Sequence, residues 1–191
     1  MRQLTFLFGQ GSEQKQSGFR RENAQVPVAL EICRWVYATR FSTAIRESVW
    51  LFPITESIHV LSITVLAGTI AVFDLRLLGV LMKREPVSTM ARQVLPWTWV
   101  GFVVMFVTGA LLSIAEAATN YYNLAFRIKL VLLLLAGLNP LIFHTSIFRK
   151  VESWDVGTAI PIRARAAAVI SLALWSGIIV AGRMIAYLEK P

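Results

Sequence analysis

Four apolar stretches, each long enough to cross a bilayer, occupy most of this chain of 191 residues. They cover residues 54–82, 96–118, 124–148 and 166–188. A hydrocarbon core roughly 30 Å thick needs about 20 apolar residues as helix. In lipid every backbone N–H and C=O must find an internal partner, so helices and closed barrels are the only spanning structures. None of the stretches alternates polar and apolar residues at period two, which leaves helix. The expected fold class is all-α, a polytopic membrane protein with a four-transmembrane-helix bundle.

Hydrophobic residues make up 56% of the chain, which leaves little material for a soluble domain. The single cysteine, Cys33, excludes an intramolecular disulfide and a thiolate metal cluster. The opening MRQLTFLF is too short for a signal-peptide core and lacks a small-residue cleavage site, so the first span is expected to act as an uncleaved insertion signal. A net charge of +8 invites a nucleic-acid reading. The basic residues flank the spans, however, where they set topology and meet anionic lipid. The expected partner is the bilayer, with other membrane subunits or further copies of the chain, and no nucleic acid.

Residues 1–27 are polar and rich in Gln, Ser and Gly, and are expected to form a flexible tail. Residues 28–52 differ from both neighbours. Leu30, Cys33, Tyr37, Phe41, Ala44 and Ile45 recur at intervals of three and four, while Glu31, Arg34, Arg40, Arg46 and Glu47 are too many charges for a span. The pattern predicts an amphipathic helix lying in the membrane interface or packed on other subunits. Pro53 marks entry to the transmembrane domain, residues 53–191.

Successive spans alternate in direction, so the loops after the first and third spans share one side. That side carries Arg76, Lys83, Arg84, Arg92, Arg149, Lys150, Arg163 and Arg165. The positive-inside rule places it in the cytoplasm and both termini outside. Trp50, Trp97, Trp99 and Trp154 stand near span ends, as interfacial anchors do.

Ionisable residues inside a membrane are expensive and mark candidate sites. Glu56, His59, Glu116, Lys129 and Arg183 map to one membrane side, where a charge network or a snorkelling rim is expected. Asp74, Arg76, Asn139, Pro140 and His144 map to the other. Pro140 deprives the Ala136 carbonyl of its usual donor, and a kink beside Asn139 and His144 would form a pocket wall or a packing bend. Buried imidazoles point to haem iron, so His59 and His144 are the candidate metal ligands. The first and third spans run in parallel, with His59 near the start of one and His144 near the end of the other. Their depths then differ by roughly 20 Å or more, too far for one haem to bridge. Met184 lies at the right depth to pair with His59, and Met82 to pair with His144; a ligand from another subunit or an open position is the equal alternative. Ala173, Gly177 and Ala181 form a small-residue stripe that permits close helix approach.

The run WLFPITESIHVLSITVLAGTIAVFDLRLLGV, followed by FRIKLVLLLLAGLNPLIFH, resembles a bacterial family of four-helix membrane proteins of unknown function. More distantly it is similar to the HemJ-type protoporphyrinogen oxidases and the copper-resistance D membrane family. The matching positions are His59, Gly68, Arg76-Leu77, Lys129-Leu130 and His144. That resemblance implies b-type haem with His59 as leading ligand, and Arg76 and Lys129 near a propionate or substrate carboxylate. The expected function is haem-based membrane redox chemistry or electron transfer, alone or as a subunit. A non-enzymatic anchor and a small-solute carrier are the alternatives.

Overall fold

The computed structural model describes residues 27–148, 151, 155 and 160–188. The N-terminal tail, Trp154 and the extreme C-terminus lie outside the described residues. Helices α1 (Val28–Tyr37) and α2 (Arg40–Arg46) precede four long ones. These are α3 (Leu51–Leu77), α4 (Val87–Ala115), α6 (Leu124–Ile142, continued by a π-helical turn over Phe143–Ile147) and α7 (Ile162–Leu188). The short α5 (Ala117–Tyr122) links α4 to α6. All four long helices have the length and hydropathy of membrane spans. The chain is a four-helix membrane bundle.

Helix boundaries depart from the apolar stretches for local reasons. α3 stops at Leu77, short of residue 82, because Gly79 adopts φ +74°. The Val80 N–H then reaches the Leu75 carbonyl at 2.9 Å and the Gly79 N–H reaches that of Arg76 at 3.0 Å, a Schellman closure that a glycine makes cheap. α4 starts nine residues before the apolar stretch does, at Val87 against an expected 96. Residues such as Met90, Arg92 and Gln93 are good helix formers, and helix formation does not require apolarity. Pro53 does not delay α3: it sits in the first turn, where its missing N–H has no partner to lose.

The amphipathic segment is two helices, not one. At the break, the Thr39 hydroxyl donates to the Val36 carbonyl (2.7 Å) and accepts from the Ser42 N–H (3.2 Å), capping α2. After this turn the buried face becomes Ser42 and Ile45, while Phe41 and Ala44 point outward. Fully buried Ser42 donates to the Ile114 carbonyl at 3.0 Å. Arg46 lies 3.8 Å over the Tyr37 ring and donates to the Ala115 carbonyl at 3.1 Å. α2 therefore caps the C-terminal carbonyls of α4 with a cation, as the helix dipole favours.

In the bundle α3 packs on α4 and on α7, and α7 packs on α6. The order α4–α3–α7–α6 leaves α4 and α6 apart, with no Cα pair within 8 Å among the described residues. α3 and α4 cross where Gly101 meets Leu66: a Cβ on Gly101 would stand 3.1 Å from the Leu66 nitrogen. On α7 the buried seam is Ala164, Ala168, Ser171, Ile178 and Ala181, with Gly177 against Leu132. Ala173 of the expected stripe is exposed, because four-residue spacing drifts round a 3.6-residue helix.

The apolar core gathers at the end of the bundle carrying the long loops, from Leu77, Val87, Phe143, Val151, Ala164 and Ala168. The opposite end, roofed by α1, α2 and α5, holds polar side chains instead. The outer faces of the spans are lined with exposed Leu, Ile, Val and Phe, as lipid requires.

Candidate functional site

His59 lies in the third turn of α3 and is only 7% exposed. Its Nδ1 is 2.9 Å from the Thr108 hydroxyl on α4. That hydroxyl also lies 2.6 Å from the Val104 carbonyl, to which it donates its one proton. It can then only accept from His59. With that donation, the network assigns the ring proton to Nδ1 and the lone pair to Nε2. The ring occupies space that Gly109 leaves open: a Cβ on Gly109 would stand 2.9 Å from His59 Cε1. Thr108 and Gly109, adjacent on α4, thus hold the imidazole by its nitrogen and by its edge.

Lys129 enters the same end of the bundle from α6. Its side chain runs across Gly182 of α7, with Nζ 3.6 Å from where a Cβ would lie. Among the described residues it has no ion-pair partner, so the expected network with Glu116 and Arg183 does not form. Glu116 sits at the α4–α5 break and accepts from the Thr119 hydroxyl at 3.2 Å, while Arg183 is exposed. Glu56, one turn before His59, is exposed as well. Met184 is 41% exposed on α7.

The remaining candidates lie at the loop end. Arg76, 6% exposed, grips the Glu85 carbonyl through Nε (2.9 Å) and Nη2 (2.5 Å) and so fastens the α3–α4 loop. Asp74 is 5% exposed and its Oδ2 has no hydrogen-bond partner; the Ser171 hydroxyl is its polar neighbour. His144 is exposed in the π-helical turn, its ring stacked on Phe148 at 5.5 Å. The Asn139 amide donates to the Ala167 carbonyl at 3.1 Å, so beside Pro140 stands an α6–α7 tie. Beyond the membrane helices, Asp155 accepts from the Ser88 N–H at 2.9 Å and from the Ser88 hydroxyl. Burial works to raise this carboxyl, but the bonds from Ser88 and Val87 and the Arg76 charge outweigh it and hold it below the usual carboxylate range. A carboxyl depressed on folding stabilises the fold at neutral pH, and that contribution disappears as pH falls through its lowered pKa.

Arg76 should be irreplaceable by lysine. A lysine keeps the charge but cannot present two fork donors to one carbonyl. Arg76→Lys is expected to cost about 1.5–3 kcal/mol, the range for a hydrogen bond from a charged group. Thermal melting in detergent measures this; an unchanged midpoint would mean that the loop is held by other contacts.

The sequence candidates therefore divide. His59 and Lys129 share one end, Arg76 and His144 the other, with about 25 Å of α3 between His59 and Arg76. Among the described residues no three His, Cys, Asp or Glu side chains gather as a metal cage. As donors to a haem this end offers the single imidazole of His59 and the ammonium of Lys129, so bis-histidine haem within one chain does not fit. Sequence reasoning passed over Thr108 and Gly109. The available signal was a hydroxyl beside a glycine in an otherwise apolar span.

A family model, described as a family of unknown function (DUF6644), matches residues 47–188. The match takes in all four spans, both histidines and Lys129, and leaves out α1 and α2. No curated protein and no solved structure matches the chain. These findings lend nothing to the likeness to HemJ-type oxidases or the copper-resistance D family.

Proposed function

The chain belongs to this family of unknown function, and we propose that it is a membrane subunit carrying b-type haem on His59 for electron transfer. The observation that carries the reading is the Thr108 bond to His59 Nδ1, which supports Nε2 as the coordinating atom. Haem, when bound, supplies one-electron chemistry. Thr108 sets the tautomer and orientation of the ring, as outer partners of ligating histidines do. Gly109 leaves the ring its place. Lys129 offers an ammonium to a propionate by a charge-assisted bond. The bundle keeps the centre within its lipid-facing helices, away from bulk water. Arg76, committed to Glu85, and His144, at the far end, take no part at this centre.

The proposed setting is a bacterial inner membrane with both termini outside. Glu47→Cys and Lys83→Cys, each in a Cys33→Ser background, test the orientation in intact cells. A reagent that cannot cross the membrane should modify the first and not the second. The reverse pattern would invert the topology.

The haem reading is tested by the visible spectrum of protein purified in detergent from haem-supplemented cells. A reducible Soret band with sharp α and β bands is expected, retained in His144→Ala and lost in His59→Ala. Wild-type protein without Soret absorbance would end the reading. A second reading, an anchor that docks a partner subunit, is favoured by α1, which exposes Val28, Ile32 and Trp35. It predicts a colourless protein.

A further inference from the structure

Among the described residues α4 and α6 stand apart, and only α5 bridges them, with α1 packed against it. Beneath that bridge lies a cleft of about 330 Å³. Its walls are largely apolar, from Cys33, Ala117, Phe126 and Leu130. Its polar groups are Arg127, Asn120 and Ser113. Asn120 is 8% exposed, so an amide is held within a largely greasy cavity. Arg127 is exposed in the first turn of α6, about 5 Å from the helix start, at the depth of lipid headgroups. Among the described residues it makes no ion pair.

The chemistry of an occupant follows from this layout. A guanidinium presents paired donors that match a phosphate. The adjoining aromatic and aliphatic walls suit hydrocarbon. Below the cleft α4 and α6 stay apart among the described residues, and both carry exposed apolar side chains, Phe106 on α4 and Leu134 on α6 among them. A soluble anion would use the first of these features and waste the other two. A zwitterionic headgroup would set its own cation beside Arg127.

We infer that this cleft binds one anionic phospholipid, its phosphate on Arg127 and its acyl chains in the gap between α4 and α6. The lipid then takes the place of the missing α4–α6 contact and closes the bundle. This inference does not depend on haem.

Cys33 lines the cleft and reports its occupancy. The full chain is placed in nanodiscs of phosphatidylcholine alone or mixed with phosphatidylglycerol, and alkylation by N-ethylmaleimide, an uncharged reagent, is timed. Phosphatidylglycerol should slow Cys33 modification several-fold in wild type and leave Arg127→Gln unaffected. Equal rates for wild type in both lipids would overturn the inference. So would slowing that persists in Arg127→Gln, which would reflect surface potential. Protection of wild type in phosphatidylcholine by glycerol 3-phosphate would replace the lipid with a soluble anion. Native mass spectrometry of protein released from the mixed nanodiscs gives an independent reading. One retained phosphatidylglycerol on wild type and none on Arg127→Gln is expected; retained phosphatidylcholine would overturn the assignment.

Discussion

Gly101→Val is expected to separate α3 from α4 and to lower the melting temperature sharply. The crossing leaves no room for a side chain: a Cβ would stand 3.1 Å from the Leu66 nitrogen and 3.2 Å from its Cα. Those are backbone atoms, which cannot rotate aside as a flexible side chain can. Leu66 is 1% exposed, so the collision falls in the tightest part of the helix pair. Overpacking a core costs about 1–3 kcal/mol where side chains can adjust. Here the helices themselves must move, and the effect should reach or exceed the top of that range. Gly101→Ala should cost less, since the gap has to widen by only a few tenths of an ångström. Gly68→Ala is the control. Nothing lies within 4 Å of its Cβ position, so it should be neutral or stabilising by up to about 1 kcal/mol through helix propensity. Thermal melts of the three variants in one detergent decide the matter. A Gly101→Val midpoint equal to that of Gly68→Ala would refute the close crossing.

Gly109→Ala should abolish haem absorbance almost as completely as His59→Ala, although the histidine remains. The new methyl would lie 2.9 Å from His59 Cε1, closer than real Cβ contacts come. The imidazole is rigid and already bonded to Thr108 at 2.9 Å. It can escape only by turning about its side-chain torsions, which breaks that bond and moves Nε2. Thr108→Val tests the same arrangement from the nitrogen side. It keeps the volume and removes the acceptor, so the ring is free to take the other tautomer. Loss of such an outer partner typically weakens a metal site by about 10–100-fold. Haem titration followed by absorbance gives both values. Wild-type affinity in Gly109→Ala would show that Nε2 is not the coordinating atom and would sink the proposed centre.

The four spans were legible in the sequence because hydropathy is a property of residue types summed over a window. The depth of each polar residue was legible too: helix rise alone separates His59 from His144 and excludes a shared haem. Asn123 caps α6 by accepting from the Phe126 N–H, a role the sequence reading did not assign. The polar tail and the loop tryptophan Trp154 lie outside the described residues.

Contacts between helices were a different matter. Sequence periodicity says which face of a helix is apolar, but inside a bilayer both the lipid-facing and the partner-facing sides are apolar. Hence the small-residue seam of α7 ran through Ala164, Ala168, Ser171 and Ala181, while Ala173 faced outward. Arg76 read as a ligand for a carboxylate and serves a backbone carbonyl, because a loop whose path no local rule specifies brings Glu85 beside it. Arg46, counted as a charge that forbids a span, turned out to cap another helix. Charge and hydropathy, carried by each residue separately, sufficed for the four spans and for which end of each span carries its titratable groups. Only the tertiary structure could decide that His59 meets Thr108 and Gly109, that Lys129 lies over Gly182 without an anionic partner among the described residues, and that α4 and α6 make no contact there. Those outcomes depend on which helix faces are turned toward one another, a relation between segments far apart in the chain.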